Sequence, residues 1–185
     1  MMMALSGIAL GLGATALVLD RKLGIGAVHA GVWRIWPKAG TPEIDPYSQA
    51  RLSRSGEIPI GLTVGLALTA AVDAQGEPLH ANCDYAISGR IPLSRYWTLT
   101  WNDPDGWLTG PTGLRHNLTS AEILQRADGM FDIKVSRQAR PGNWLPVAGN
   151  SDFMLVLRLY DTGVSATASA IEADTLPELL RGACS

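Results

Sequence analysis

The chain predicts a mainly β domain of two packed sheets, with short peripheral helices and an N-terminal transmembrane helix ahead of it. Three observations carry this reading. Tyr96-Trp97-Thr98-Leu99-Thr100-Trp101-Asn102 alternates, with Trp97, Leu99 and Trp101 on one face and Tyr96, Thr98, Thr100 and Asn102 on the other. That is the period of a half-buried strand. Phe153 to Tyr160 alternates too, and its second face is apolar enough to predict a central place in a sheet. Finally, Met1 to Leu19 carries no charged side chain.

The bulk numbers set limits. With 185 residues the chain has room for one good core and is short for two full-sized domains. A net charge of -2 and the lack of any basic run argue against nucleic acid as a partner. Six tryptophans against two phenylalanines leave rings for a core, a pocket or a membrane surface.

In the first nineteen residues only Ser6 and Thr15 bear hydroxyls. As a helix they reach about 28 Å, just enough to cross the hydrocarbon layer. Residues 1–22 therefore read as a membrane anchor, with 4–19 as the membrane contact. Residues 23–40 follow as a linker holding Trp33 and Trp36, and 41–185 as the β domain. A cleaved export signal is one alternative, because Val28-His29-Ala30 resembles a small-residue cleavage site. A buried helix weakened by Gly7, Gly11 and Gly13 is another. Arg21 and Lys22 after the apolar run would hold the domain on the cytoplasmic side. Trp33 and Trp36 fit an interfacial belt or a cap on the core equally well.

In the domain, Asp45 caps a helix that begins at Pro46, where a missing amide costs nothing, and runs to about Ser55. Leu62 to Val72 reads as a long strand, and Asp73-Ala74-Gln75-Gly76 as a turn. Strand signal returns at Cys83 to Ser88, with Cys83, Tyr85 and Ile87 on one face. Asn102-Asp103-Pro104-Asp105-Gly106 is a strong turn. Thr119-Ser120-Ala121-Glu122 fits a capping box opening a short helix to Ala127, with a loop as the rival. Met130 to Ser136 alternates as a strand with Phe131, Ile133 and Val135 inward. Arg140 to Pro146, with prolines near both ends, is excluded from ordinary strand. Thr175-Leu176-Pro177-Glu178 reads as the capped start of a terminal helical turn that delivers Cys184 to the fold.

The two cysteines, Cys83 and Cys184, are compatible with one disulfide in an oxidising compartment or with two unrelated thiols in a reducing one. No Gly-x-Ser-x-Gly elbow, nucleotide-binding glycine loop or His-Glu-x-x-His helix occurs. His80 beside Cys83-Asp84 has ligand chemistry at close spacing, but a disulfide at Cys83 would remove it, so no metal and no cofactor are assigned. His116 or His80 with a carboxylate such as Asp103 is the weak catalytic candidate. The stronger candidate is a binding surface. Trp144, Trp101, Tyr85 and Tyr96, with Trp107 beside them, would supply aromatic platforms and Arg115 and Arg158 charged partners, a mixture suited to sugars, lipids or anionic glycans.

Four landmarks carry a family resemblance. They are Trp36-Pro37 with Asp45-Pro46-Tyr47; Cys83-Asp84-Tyr85 with Gly89; Tyr96-Trp97-Thr98-Leu99-Thr100; and Asn143-Trp144-Leu145-Pro146 followed by Leu157-Arg158-Leu159-Tyr160. In their order and spacing the chain resembles the uncharacterised bacterial family catalogued as domain of unknown function 1214. That resemblance implies a jelly-roll-like β-sandwich in an exported or membrane-anchored envelope protein. It turns orientation toward an inner-membrane anchor with the domain in the periplasm, or secretion after cleavage, and so toward a Cys83–Cys184 disulfide. It implies no reaction.

The expected function is a non-enzymatic binding or accessory domain with an aromatic surface, whose partner is a glycan, a lipid or a protein. A glycan-directed hydrolase or lyase using His116 or His80 is the enzymatic alternative. A purely structural, membrane-associated role is the third.

Overall fold

The computed structural model describes residues 2–20, 24–55, 58–108, 113–164 and 171–184. Helix α1 (Met2–Asp20) leads into strands β1 (Val28–Ala30) and β2 (Trp33–Ile35). Helix α2 (Pro46–Ser55) follows, then β3 (Gly65–Ala70), β4 (Cys83–Gly89), β5 (Ser94–Asn102) and β6 (Asn117–Thr119). The chain ends with β7 (Phe131–Ser136), β8 (Asn143–Pro146), β9 (Met154–Thr162) and β10 (Glu178–Cys184).

Two sheets form, in the orders β1-β2-β3-β9-β5-β6 and β10-β4-β7-β8. The six-stranded sheet is antiparallel throughout. β9 sits inside it, between β3 and β5, as its two-sided apolarity predicts. Leu155, Leu157 and Leu159 of β9 join Trp97, Leu99 and Trp101 of β5 in a core shared with Tyr85, Ile87, Phe131 and Ile133 of the smaller sheet. Trp97 meets Phe131 at 5.7 Å between ring centroids, which ties one sheet to the other.

The architecture is a mixed α/β fold with two open sheets, which corrects the jelly-roll-like β-sandwich. A jelly roll winds eight antiparallel strands into two Greek keys. Here β7 and β8 run parallel, and neither sheet closes. The segment Asn143–Pro146, excluded from strand on its prolines, is β8 itself. It lies at a sheet edge, and Pro146 is its last residue, where a lost amide is tolerated.

The transmembrane helix is corrected as well. Among the described residues no helix is long and apolar enough to cross a membrane. Helix α1 spans 19 residues, about 28 Å against a hydrocarbon layer of about 30 Å. Glycines at 7, 11 and 13 thin that stretch further. Support for a membrane contact through residues 4–19 falls with it, as does the envelope, inner-membrane and periplasmic placement. Val28-His29-Ala30, the cleavage-like triplet, is β1 and pairs with β2.

Two smaller expectations also give way. The capping-box residues form a turn after β6: Glu122 accepts the Thr119 amide at 2.9 Å as a capping box would, but no helix follows. After a 3-10 turn at Ala173–Thr175, the C-terminus is strand β10 along β4.

β10 is held by more than backbone pairing. A disulfide joins Cys83 to Cys184 across the β4–β10 pair, enclosing a sequence separation of 101 residues. Trp33 Nε1 donates to the Pro177 carbonyl at 2.8 Å. Arg181 pairs through Nε with Asp73, whose side chain is fully buried, and lies 5.7 Å from the Tyr85 ring. Asp73 Oδ1 also accepts the amides of Gln75 and Glu77, so the predicted turn doubles as the acid's mount.

Two stability outcomes follow. Cys184→Ser should lower unfolding free energy by about 4 kcal/mol on the chain-entropy scale, read as a lower urea midpoint matched by wild type under reductant. An unchanged midpoint would mean that strand pairing alone holds β10. Arg181→Met strands a buried carboxylate and should cost about 3 kcal/mol. Adding Asp73→Asn should restore part of that loss, whereas strictly additive losses would contradict the pairing.

Candidate functional site

The candidate site follows from the register of the six-stranded sheet. Side chains alternate, so the residues between the core leucines of β9 face away from the core. Arg158 and Tyr160 are half-buried on that outward side. Tyr160 pairs across with Tyr96 on β5 and with Gly65 on β3; Arg158 pairs with Thr98 and Ala67. Val156 pairs with Thr100 and Thr69, and Thr69 with Arg34 on β2. The face thus carries two cross-strand rows. One is Arg34-Thr69-Val156-Thr100-Asn117, and beside it runs Ala67-Arg158-Thr98-Thr119.

Gly65 lets β3 and β9 approach closely. A Cβ there would fall 2.1 Å from the Leu159 carbonyl oxygen, an impossible contact. The close pairing sets the Tyr96–Tyr160 pair, with ring centroids 6.1 Å apart, at one end of the face.

At the other side of β3, helix α2 and residues 59–62 roof a shallow cleft with only about 30 Å³ of room for water-sized occupants. Its floor includes Ala67 and Thr69, and its wall includes Trp36 and Arg51. The Arg51 guanidinium lies 4.3 Å from the centre of a Trp36 ring, a cation–π contact. Trp36 Nε1 donates to the Ile25 carbonyl at 3.2 Å. Asp45 caps α2 as its position predicts, with Oδ1 accepting the amides of Tyr47 at 3.0 Å and Ser48 at 2.9 Å. Partial desolvation acts upward on this carboxyl, but the Ser48 and Tyr47 hydrogen bonds outweigh it and hold the group below the usual carboxylate range.

The predicted site residues separate into distinct environments. Trp101 and Tyr85 are core residues, 5% and 2% exposed. Burial pushes the Tyr85 phenol above its ordinary range, against the opposing His80 amide and Arg181 guanidinium. Trp144 is half-buried on β8 and donates from Nε1 to the Ser136 carbonyl at 3.0 Å. Trp107 is exposed in the turn after β5. Arg115 pairs with Glu122 at 2.7 Å. Tyr96 and Arg158 share the outward face, and Arg158 Nη1 donates to Thr100 Oγ1 at 3.3 Å.

The catalytic candidates lie apart from that face. His80 Nδ1 accepts the Asn82 amide at 3.2 Å, and the His80 amide donates to the Tyr85 hydroxyl. His116 packs beside Trp101 with ring centroids 5.9 Å apart, and neither its Nδ1 nor Trp101 Nε1 has a hydrogen-bond partner among the described residues. Asp103 Oδ1 is occupied by the amides of Asp105 and Trp107. Among the described residues no carboxylate is hydrogen-bonded to either imidazole. No three His, Cys, Asp or Glu side chains there are grouped to hold a metal.

Sequence reading did not single out Arg34 or Arg51 as site residues. Trp33-Arg34-Ile35 shows one full alternation, buried on either side of the arginine, but three residues are too few to register as a strand. The place of Arg51 over β3 is a tertiary fact.

Comparison with known proteins extends the fold and adds no reaction. None of the curated proteins matches the chain. The crystal structure of the VPA0106 protein from Vibrio parahaemolyticus aligns with a TM-score of 0.57 at 21% identity, over 65% of this chain and 31% of that one. That similarity concerns fold. An uncharacterised protein from Burkholderia cenocepacia aligns at a TM-score of 0.40 and 16% identity, over 92% of this chain and 48% of its own. The chain therefore spans less than half the length of either. The family described as "Protein of unknown function (DUF1214)" matches residues 64–164, from the threshold of β3 to just past β9. With more than half of its length inside that match, the chain belongs to the DUF1214 family of proteins of unknown function.

Proposed function

We propose that the domain is a non-enzymatic binding module whose ligand lies across the outward face of the six-stranded sheet. The observation that carries this reading is the joining of three features on one face of the sheet. These are the Tyr96–Tyr160 pair, the half-buried Arg158, and the cleft walled by Trp36 and Arg51. Aromatic planes with a few placed polar groups are the chemistry of ligand recognition. Thr98, Thr100 and Thr119 supply further hydroxyls between the charged and aromatic parts.

The other candidate groups support the same reading by being engaged elsewhere. Trp101 and Tyr85 serve the core, Arg115 is paired with Glu122, and the Trp144 ring nitrogen is occupied. A hydrolase or lyase would need an acid and a base converging in a cleft, and no imidazole–carboxylate pair of that kind stands among the described residues.

Chemical-shift mapping of the full chain against a panel of neutral and acidic saccharides and aromatic acids tests this. The expected result is saturable shifts clustered at Trp36, Tyr96, Thr98, Arg158 and Tyr160, with no product formed. Tyr96→Ala and Tyr160→Ala should each weaken binding by about 1 to 3 kcal/mol, the range for truncating a ligand-contacting ring. Shifts centred on His116 or His80, accompanied by turnover, would overturn the reading in favour of an enzyme.

A further inference from the structure

We infer that Ala67 and Thr69 form the floor of an oxyanion subsite on this face, held between Arg34 and Arg158, that takes a carboxylate or phosphate group of the ligand. The inference rests on the binding-face reading and gives the ligand its charge.

The argument starts from register. Arg34 is the cross-strand partner of Thr69, and Arg158 is the partner of Ala67 two residues along the same strand. Their backbones therefore stand about 12 Å apart, on either side of β3. Two extended guanidinium side chains can close that span over one ligand group. The Arg158 bond to Thr100 brings its guanidinium level with the row that holds Thr69 and Arg34 but on the β5 side of Val156, where one neutral hydroxyl holds it and an anion over β3 would draw it across. Val156 lies between Thr69 and Thr100 in that row and is 2% exposed without belonging to the core cluster. The face is therefore covered at that point. Ala67 and Thr69, being small, leave the floor itself open to the cleft under Arg51.

Charge gives the second line. A guanidinium presents five N–H donors and no acceptor, and it matches planar or tetrahedral oxyanions with paired hydrogen bonds. Arg158 uses one donor, on a neutral hydroxyl. The Arg34 side chain is half-buried and has no hydrogen bond or ion pair among the described residues. No Asp or Glu takes an outward register position on β2, β3, β5, β6 or β9. The acid of β9, Asp161, leaves the alternation through a left-handed φ of 50° and approaches Arg95 at 4.0 Å. On β1, the exposed partner of Arg34 is His29. The chain as a whole carries a net charge of -2, so this concentration of cations is local. Half-buried guanidiniums without a carboxylate raise the potential where an anion would sit.

The test uses the full chain, with inorganic phosphate, sulfate and acetate as separate probes. Arginine Nε–Hε resonances are followed by NMR. The expected result is saturable movement of Arg34 and Arg158. Arg34→Met and Arg158→Met should each weaken the response by about tenfold, the loss of one charge-assisted contact, while Arg115→Met leaves it unchanged. A preference for phosphate over acetate assigns a phosphorylated ligand, and the reverse assigns a carboxylate. If all three probes leave both guanidiniums unmoved in wild type, the subsite is overturned, whatever the variants do. If that happens while a neutral saccharide still shifts Tyr96 and Tyr160, the binding face stands and only its anionic character is lost. Anion binding at Arg34 and Arg158 with no organic ligand at the tyrosines would support the subsite and remove the wider reading.

Discussion

The central position of β9 is the constraint on which the rest depends. It is paired on both edges, to β3 and β5, so its backbone is fully committed and its side chains have only two directions. Leu155, Leu157 and Leu159 take the core, which forces Arg158 and Tyr160 onto the outward face. A shift of one residue in register would exchange the two sets, burying an arginine and exposing three leucines. The core and the candidate site are therefore two consequences of one alternation.

A second constraint is the fastening of the C-terminal strand. β10 is an edge strand, and edges are where sheets fray or pair wrongly. It is pinned at its far end by the disulfide, in its middle by Arg181 on the buried Asp73, and just before its start by the Trp33 indole on Pro177. The last contact spans 144 residues of sequence. It couples the first strands of one sheet to the edge of the other, so the two open sheets behave as one packed body. Of this clasp, Cys83 and Asp73 lie within the stretch shared with the DUF1214 family; Cys184, Arg181, Trp33 and Pro177 lie outside it. The candidate site divides the same way. Tyr96, Arg158, Ala67 and Thr69 fall inside the match, and Arg34, Trp36 and Arg51 fall before it.

Local physics made much of the fold legible. β5, β7 and β9 announce themselves by period two, and α2 by an aspartate cap with a proline behind it. The turn at Asn102 to Gly106 follows from the carboxylate at Asp103 and the positive φ of Gly106. What failed had a common cause. β8 and β10 are strands because of the neighbours they pair with, whatever their own composition, and Pro146 is harmless only because it closes an edge. Glu122 makes its capping-box bond, but the chain turns toward β7 before a helix can propagate. The apolar start of the chain likewise suggested a membrane helix by composition alone.

The sequence by itself determined which faces of the long strands are buried and where α2 begins. These depend on contacts within a few residues, which spacing reports directly. Only the tertiary structure decided that Trp101 and Tyr85 belong to the core while Tyr96 stays outside, and that Trp33 is fully enclosed. It alone set Arg34 opposite Thr69 and Arg158 opposite Ala67, with Arg51 over the cleft between. The reason is physical: strand order and helix placement are set by the packing of distant segments, and no local pattern records which distant segment will arrive.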